Sequence, residues 1–127
     1  MSTFSNAIAG TWHLDHDGWQ GTLVINPPDQ AYNEIDGNCT FHYERFSGAW
    51  SGGAGNRLAV TGTIGGRDVN RRAGEPCPSS AHKCVFTIAF PGAAPQRFEG
   101  YVYTHELSRM AGLTWWQGLP FAWSASK

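Results

Sequence analysis

Residues 13–17, His-Leu-Asp-His-Asp, gather two imidazoles and two carboxylates in one short stretch, a set suited to metal ligation or proton transfer. A strand alternates its faces, so His13 shares a side with Asp15 while His16 points the other way. Two ligands on an outer face are too few for a closed metal site. Cys77, His82 and Cys84 are a second group of metal-binding types, but their spacing matches no standard pair of zinc knuckles. A loop disulfide or free thiols are the simpler states. No metal site is therefore expected. Asp15, His16, His42, Glu44, Glu99, His105 and Glu106 are the candidates for acid–base work, yet nothing in the sequence pairs two of them. Exposed polar positions on alternating strands account for them, and no catalytic residue is assigned. A Ser-centred elbow, a phosphate loop and a dinucleotide fingerprint are all missing, since the glycines at 52–55 lack the lysine and following helix that phosphate binding needs. No cofactor is expected.

The stronger signal is aromatic. Trp12, Trp50, Phe86, Phe90, Phe98, Trp116 and Trp123 fall at positions that can face inward on strands. Such rings bury large areas and, in tryptophan, carry a polar handle. They either fill a core or line a pocket.

The elements that must position these rings are strands. The clearest lie in residues 85–104, where Val85, Phe86, Thr87, Ile88 and Phe90 form one β-type run and Phe98, Tyr101, Val102 and Tyr103 another. Pro91, Gly92 and Pro95 between them supply a turn, so the runs read as an antiparallel hairpin. A lone hairpin is unstable in water, and its apolar face requires more strands. The chain supplies them. Residues 9–16 alternate as a first strand turned at Asp17-Gly18, and residues 20–26 form a second, stopped by Pro27-Pro28. Residues 29–38 read as a polar connection. Residues 40–51 form a third strand with a bend or bulge at Gly48, and 57–64 a fourth with Leu58, Val60, Gly62 and Ile64 on one face. Residues 65–83 are the longest irregular stretch, of a length that is usually functional or mobile. Residues 109–127 close the chain as a hairpin turned at 117–120. Met110, Gly112, Thr114 and Trp116 share one face of it, and Ala111, Leu113 and Trp115 the other; period alone does not say which is inside.

Eight strands in a meander, in a single domain of 127 residues with 16 glycines and only 15% charged residues, predict an all-β, eight-stranded antiparallel up-and-down β-barrel. A two-sheet sandwich is the rival architecture. The net charge of −1, with the arginines dispersed apart from Arg67, Arg71 and Arg72, leaves no electrostatic footprint for nucleic acid. No window approaches 18 apolar residues, so no membrane partner is expected, and an N-terminus without a signal-type apolar segment suggests a cytoplasmic protein, with a secreted mature form as the alternative.

At this point the pattern resembles the calycin group of small barrels, and within it the avidin and streptavidin family. Gly10-Thr11-Trp12 resembles the family's opening strand, Phe46-Ser47-Gly48-Ala49-Trp50-Ser51 its L-T-G-T-Y-x-S strand, and Val60-Thr61-Gly62-Thr63-Ile64 the one that follows. Residues 85–90 are similar to its W-T-V-A-W strand and residues 98–102 to its W-S-G-Q-Y strand. The resemblance implies a ligand site at the open barrel end, with Trp50, Phe90 and Trp116 toward it and Trp12 at the closed end. It also implies that the biotin contacts are largely unmatched: Trp50 stands for a ring-bonding Tyr, Gly52 for a Ser, Phe90 for a Trp, Leu14 for an Asn, and the last strand has no Asp.

The expected function is non-catalytic binding of a small, largely apolar or planar molecule. His16, Trp50, Phe86, Phe90, Gln96, Phe98 and Trp116 are the expected ligand-binding residues, with His16 and Gln96 as the polar groups. The loop at 52–56 and the segment 65–83 would cover the ligand. A carbohydrate-binding lectin using exposed Trp19, Trp115 or Trp123 is the second reading, and a small-barrel isomerase or cyclase the third. The resemblance further implies a homo-oligomer assembled through outer faces, which an outward row including Trp115 suits.

Overall fold

The structure, a computed structural model, describes residues 8–36, 39–52, 57–68, 83–103 and 107–127. These form nine antiparallel strands: β1 Gly10–His16, β2 Trp19–Ile25, β3 Gln30–Asp36, β4 Cys39–Gly52, β5 Arg57–Asp68, β6 Lys83–Ile88, β7 Gln96–Val102, β8 Arg109–Trp116 and β9 Leu119–Ser126. Eight of them close into a barrel in the order β1-β2-β4-β5-β6-β7-β8-β9, and β1 returns to β9 through His13 opposite Ser126. The closed ring bears out the eight-stranded up-and-down barrel and is consistent with a calycin-like fold.

The ninth strand corrects the sequence expectation. Residues 30–36, expected as a polar connection, form β3, which pairs with the first half of β4 from Asp36 opposite Cys39 to Gln30 opposite Arg45. The second half of β4 then pairs along the same edge with β2, from Gly48 opposite Ile25 to Gly52 opposite Gly21. One strand thus serves the barrel and an appended hairpin in turn. Gly48, expected to bend, lies where the partner changes: a Cβ there would sit 1.9 Å from the Val24 carbonyl oxygen, so only glycine lets β2 approach. The register shift falls elsewhere, between His42 and Tyr43. β5 likewise runs on to Asp68, four residues past its expected end.

Alternation decides the inside. On β6 the buried row is Cys84, Phe86 and Ile88; on β7 it is Gln96, Phe98, Gly100 and Val102. The ambiguity of β8 resolves with Met110 and Thr114 inward and Leu113 and Trp115 outward. Phe86 and Phe98 stack at 4.9 Å, with Trp123 edge-on at 5.4 Å to Phe86 and 6.0 Å to Phe98, and this trio packs the barrel's middle. The Trp123 indole N–H reaches the Leu113 carbonyl at 3.0 Å. At the closed end Trp12 donates to the Ile8 carbonyl at 2.8 Å, and the Lys127 ammonium lies 5.3 Å from its ring centroid.

Candidate functional site

Among the described residues the opposite end is open. The turn at 17–18, the 89–95 connection and the turn at 117–118 surround a cavity of about 580 Å³. Inward residues of several strands line it: His16 from β1, Trp50 from β4, Leu58 from β5, Gln96 from β7 and Thr114 from β8. Phe90 follows β6, Phe121 comes from β9, and Trp19 and Trp116 stand at the rim, 72% and 45% exposed.

Trp50 owes its position to two glycines. Gly21 and Gly52 are opposed across β2 and β4, and the indole lies over both. A Cβ on Gly21 would sit 2.6 Å from Trp50 Nε1, and one on Gly52 2.5 Å from its Cη2. Any side chain at either place displaces the ring. Phe90 meets it edge-on at 5.2 Å.

His16 is wedged among rings, with centroids at 5.4 Å to Phe98, 6.0 Å to Trp50 and 6.1 Å to Phe90. Burial pushes its pKa below the ordinary value, against the smaller opposing pull of the Asp15 and Asp17 carboxylates. The imidazole is therefore neutral at neutral pH. His16 Nε2 and Trp50 Nε1 are both buried without a hydrogen-bond partner among the described residues. Each such atom costs about 1–3 kcal/mol.

Gln96, 8% exposed, is held by Thr114, whose hydroxyl oxygen lies 2.8 Å from the amide nitrogen. Thr114 gives its own proton to the Arg97 carbonyl at 2.7 Å, so the amide must be the donor in the first bond. This fixes the amide orientation and leaves the Gln96 carbonyl oxygen as an acceptor. No lysine or arginine lines the cavity among the described residues, and Asp17 at the rim is its one carboxylate. The wall is aromatic and apolar with a few neutral polar groups.

Of the residues expected to bind ligand, His16, Trp50, Phe90, Gln96 and Trp116 line this cavity together. Phe86 and Phe98 do not: they are 1% and 0% exposed in the packed middle, although Phe98 supports His16 from below the wall. Thr114, Leu58, Phe121 and Trp19 were not anticipated there. Leu58 and Thr114 already shared a face with Val60 and Met110 in the alternation, which was the available signal. The covering loop residues 53–56 and 69–82 lie outside the described residues, as do Cys77, His82, His105 and Glu106.

The other candidates stand apart from the cavity. Glu99 is paired on the outer face with Arg97 at 2.9 Å and Lys83 at 3.1 Å. Glu44 is buried, 3.7 Å from His42 Nε2, while His42 Nδ1 lies 3.0 Å from the Asn33 side-chain oxygen. No group of three metal-binding side chains occurs among the described residues. Cys84 is a free thiol, fully buried, and burial pushes its pKa up to about 12. Trp123, expected as an exposed sugar platform in the lectin reading, is 3% exposed in the core, because β9 turns its ring toward Phe86; Trp19 and Trp115 are exposed. No protein-family model, curated protein or solved structure matches this chain.

Proposed function

We propose that this barrel binds a small, uncharged, largely apolar or planar molecule at its open end, without catalysis, in the general manner of avidin-type and lipocalin-type barrels. The observation that carries this is the cavity of about 580 Å³ walled by Trp50, Phe90, Leu58, Phe121 and Trp116. Its size and its balance of apolar walls with few polar groups suit a small-molecule pocket. Among the described residues the wall offers an anion no countercharge, and burying an unpaired charge is costly. His16 and Gln96 are the groups placed to orient a polar edge of the ligand. Among the described residues no second titratable side chain accompanies His16 in the buried wall, which is why binding is favoured over acid–base catalysis.

The test uses two probes with one scaffold. N-phenyl-1-naphthylamine is neutral, and 1-anilinonaphthalene-8-sulfonate adds a sulfonate to it. Fluorescence titration, checked for 1:1 stoichiometry by native mass spectrometry, should show the neutral probe binding at least about tenfold more tightly, equivalent to roughly 1.4 kcal/mol. Equal affinities, or no binding of either probe, would overturn the proposal. A biotin adduct in the same spectra would narrow the class to the avidin type. One observation favours the lectin as the second reading: Trp19, 72% exposed, stands at the rim with Asp17 and Gln20. An adduct with chitotriose and none with the naphthylamine would select it.

A further inference from the structure

β3 ends the sheet: one edge pairs with β4, and nothing pairs with the other among the described residues. A free edge presents a row of backbone donors and acceptors, and folded proteins commonly guard such edges with lysine, proline or a bulge. The strand Gln30-Ala-Tyr-Asn-Glu-Ile-Asp36 has no lysine or proline, its charged residues are Glu34 and Asp36 alone, and the register shift of the extension lies in the β4–β5 pairing instead. Ile35 is 79% exposed, more than any other large hydrophobic side chain described.

We propose that this edge pairs antiparallel with the same edge of a second copy, forming a two-fold symmetric dimer whose sheet runs continuously through both molecules. One register pairs all seven residues, and it sets Asn33 opposite Asn33 of the second copy. Ile35 then falls opposite Ala31 of the copy, Glu34 opposite Tyr32 and Asp36 opposite Gln30, each contact made twice by symmetry. In this register no acidic position falls directly opposite another. Tyr32 is already positioned for this, stacked on Tyr43 at 5.3 Å with the Arg45 guanidinium 4.7 Å from its centroid. That self-complementarity selects a second copy over an unrelated strand; the whole-chain net charge of −1 adds little long-range repulsion, and the local repulsion is between the acidic residues of the two edges, Glu34 foremost. Two seven-residue edges bury less than the roughly 1,200 Å² of a standard stable interface, so the dimer is weak and concentration-dependent. Because the edge lies on the appended hairpin, pairing leaves the barrel ring unaltered.

Sedimentation velocity on the intact chain should show the weight-average mass rising toward twice the monomer between roughly 10 μM and 1 mM, the range expected of a weak interface. Ile35→Lys should abolish the rise, by placing a charged side chain on the edge. Glu34→Gln should tighten the dimer about threefold, because Glu34 of each copy lies diagonally some 7 Å from its mate. With Cys39 and Cys77 replaced by serine, Asn33→Cys should form an intermolecular disulfide on mild oxidation, whereas Ile35→Cys, set well away from its mate, should not. Near-ultraviolet circular dichroism guards against misfolded variants. A protein that stays monomeric throughout, a dimer indifferent to Ile35→Lys, or a cross-link through position 35 in place of 33 would each overturn the proposal.

Discussion

Thr114 joins the cavity wall to the backbone, and replacing it with valine removes a hydroxyl at nearly constant shape. The Gln96 amide loses its acceptor, and the Arg97 carbonyl loses a donor. Both bonds involve a side chain that is 1% exposed, so water restores little on the Thr114 side, while Gln96 at 8% exposure can turn partly toward the cavity. With about 1 kcal/mol for each bond and the larger penalty where a group stays unpaired, Thr114→Val should cost about 2 kcal/mol. In a domain of this size that lowers Tm by about 8 °C. Gln96→Leu alone should cost about 1 kcal/mol, since Thr114 still donates to Arg97. The double variant leaves no orphaned amide, and its loss should fall short of the sum of the singles by about 1 kcal/mol. Urea unfolding of the four proteins, followed by tryptophan fluorescence, measures the cycle. Strictly additive losses would mean that the Gln96–Thr114 bond is not made in solution.

Three further outcomes follow from the site and the core. Gly21→Ala puts a methyl into the Trp50 indole and should cost about 1–3 kcal/mol by overpacking, with a shifted tryptophan emission maximum and weakened naphthylamine binding; unchanged emission would argue against the ring lying over Gly21. Because the pKa of His16 is lowered on folding, the unfolded chain takes up a proton that the folded one refuses as pH falls below about 6.5. Stability should therefore be level above that pH and decline beneath it, by at most about 1.4 kcal/mol per pH unit, until the folded pKa is reached; a His16→Phe variant should lack this part of the slope in urea titrations. Cys84, buried and with its pKa pushed up to about 12, should resist Ellman's reagent in the native protein in a Cys39→Ser, Cys77→Ser background and react fully in 6 M guanidinium.

The barrel was readable because its strands have one wet and one dry face, so alternation and Gly-Pro punctuation survive in the sequence, as on β6 and β7. β3 was not readable for the opposite reason: Ala31, Asn33, Glu34 and Ile35 are all exposed, so neither face carries the period that marks a strand. In the site, period two identified inward positions and was silent on depth. Phe86 and Phe98 point inward like Phe90, but only their height along the barrel separates core from cavity wall. The flat seat that Gly21 and Gly52 offer Trp50 depends on cross-strand register, which no local pattern records.

The pairing of β1 with β9 has a consequence for how the molecule is made. His13 pairs with Ser126, so the ring closes through its most sequence-distant strand pairing. During vectorial synthesis β1 must wait with one side unzipped until the final strand leaves the ribosome, and β8 waits likewise. The cost of closing so large a loop is met before the reward arrives, which places closure late and makes folding slow. The nascent chain is most exposed to unwanted strand exchange in that interval, and the arrival of β9 seals both sides together.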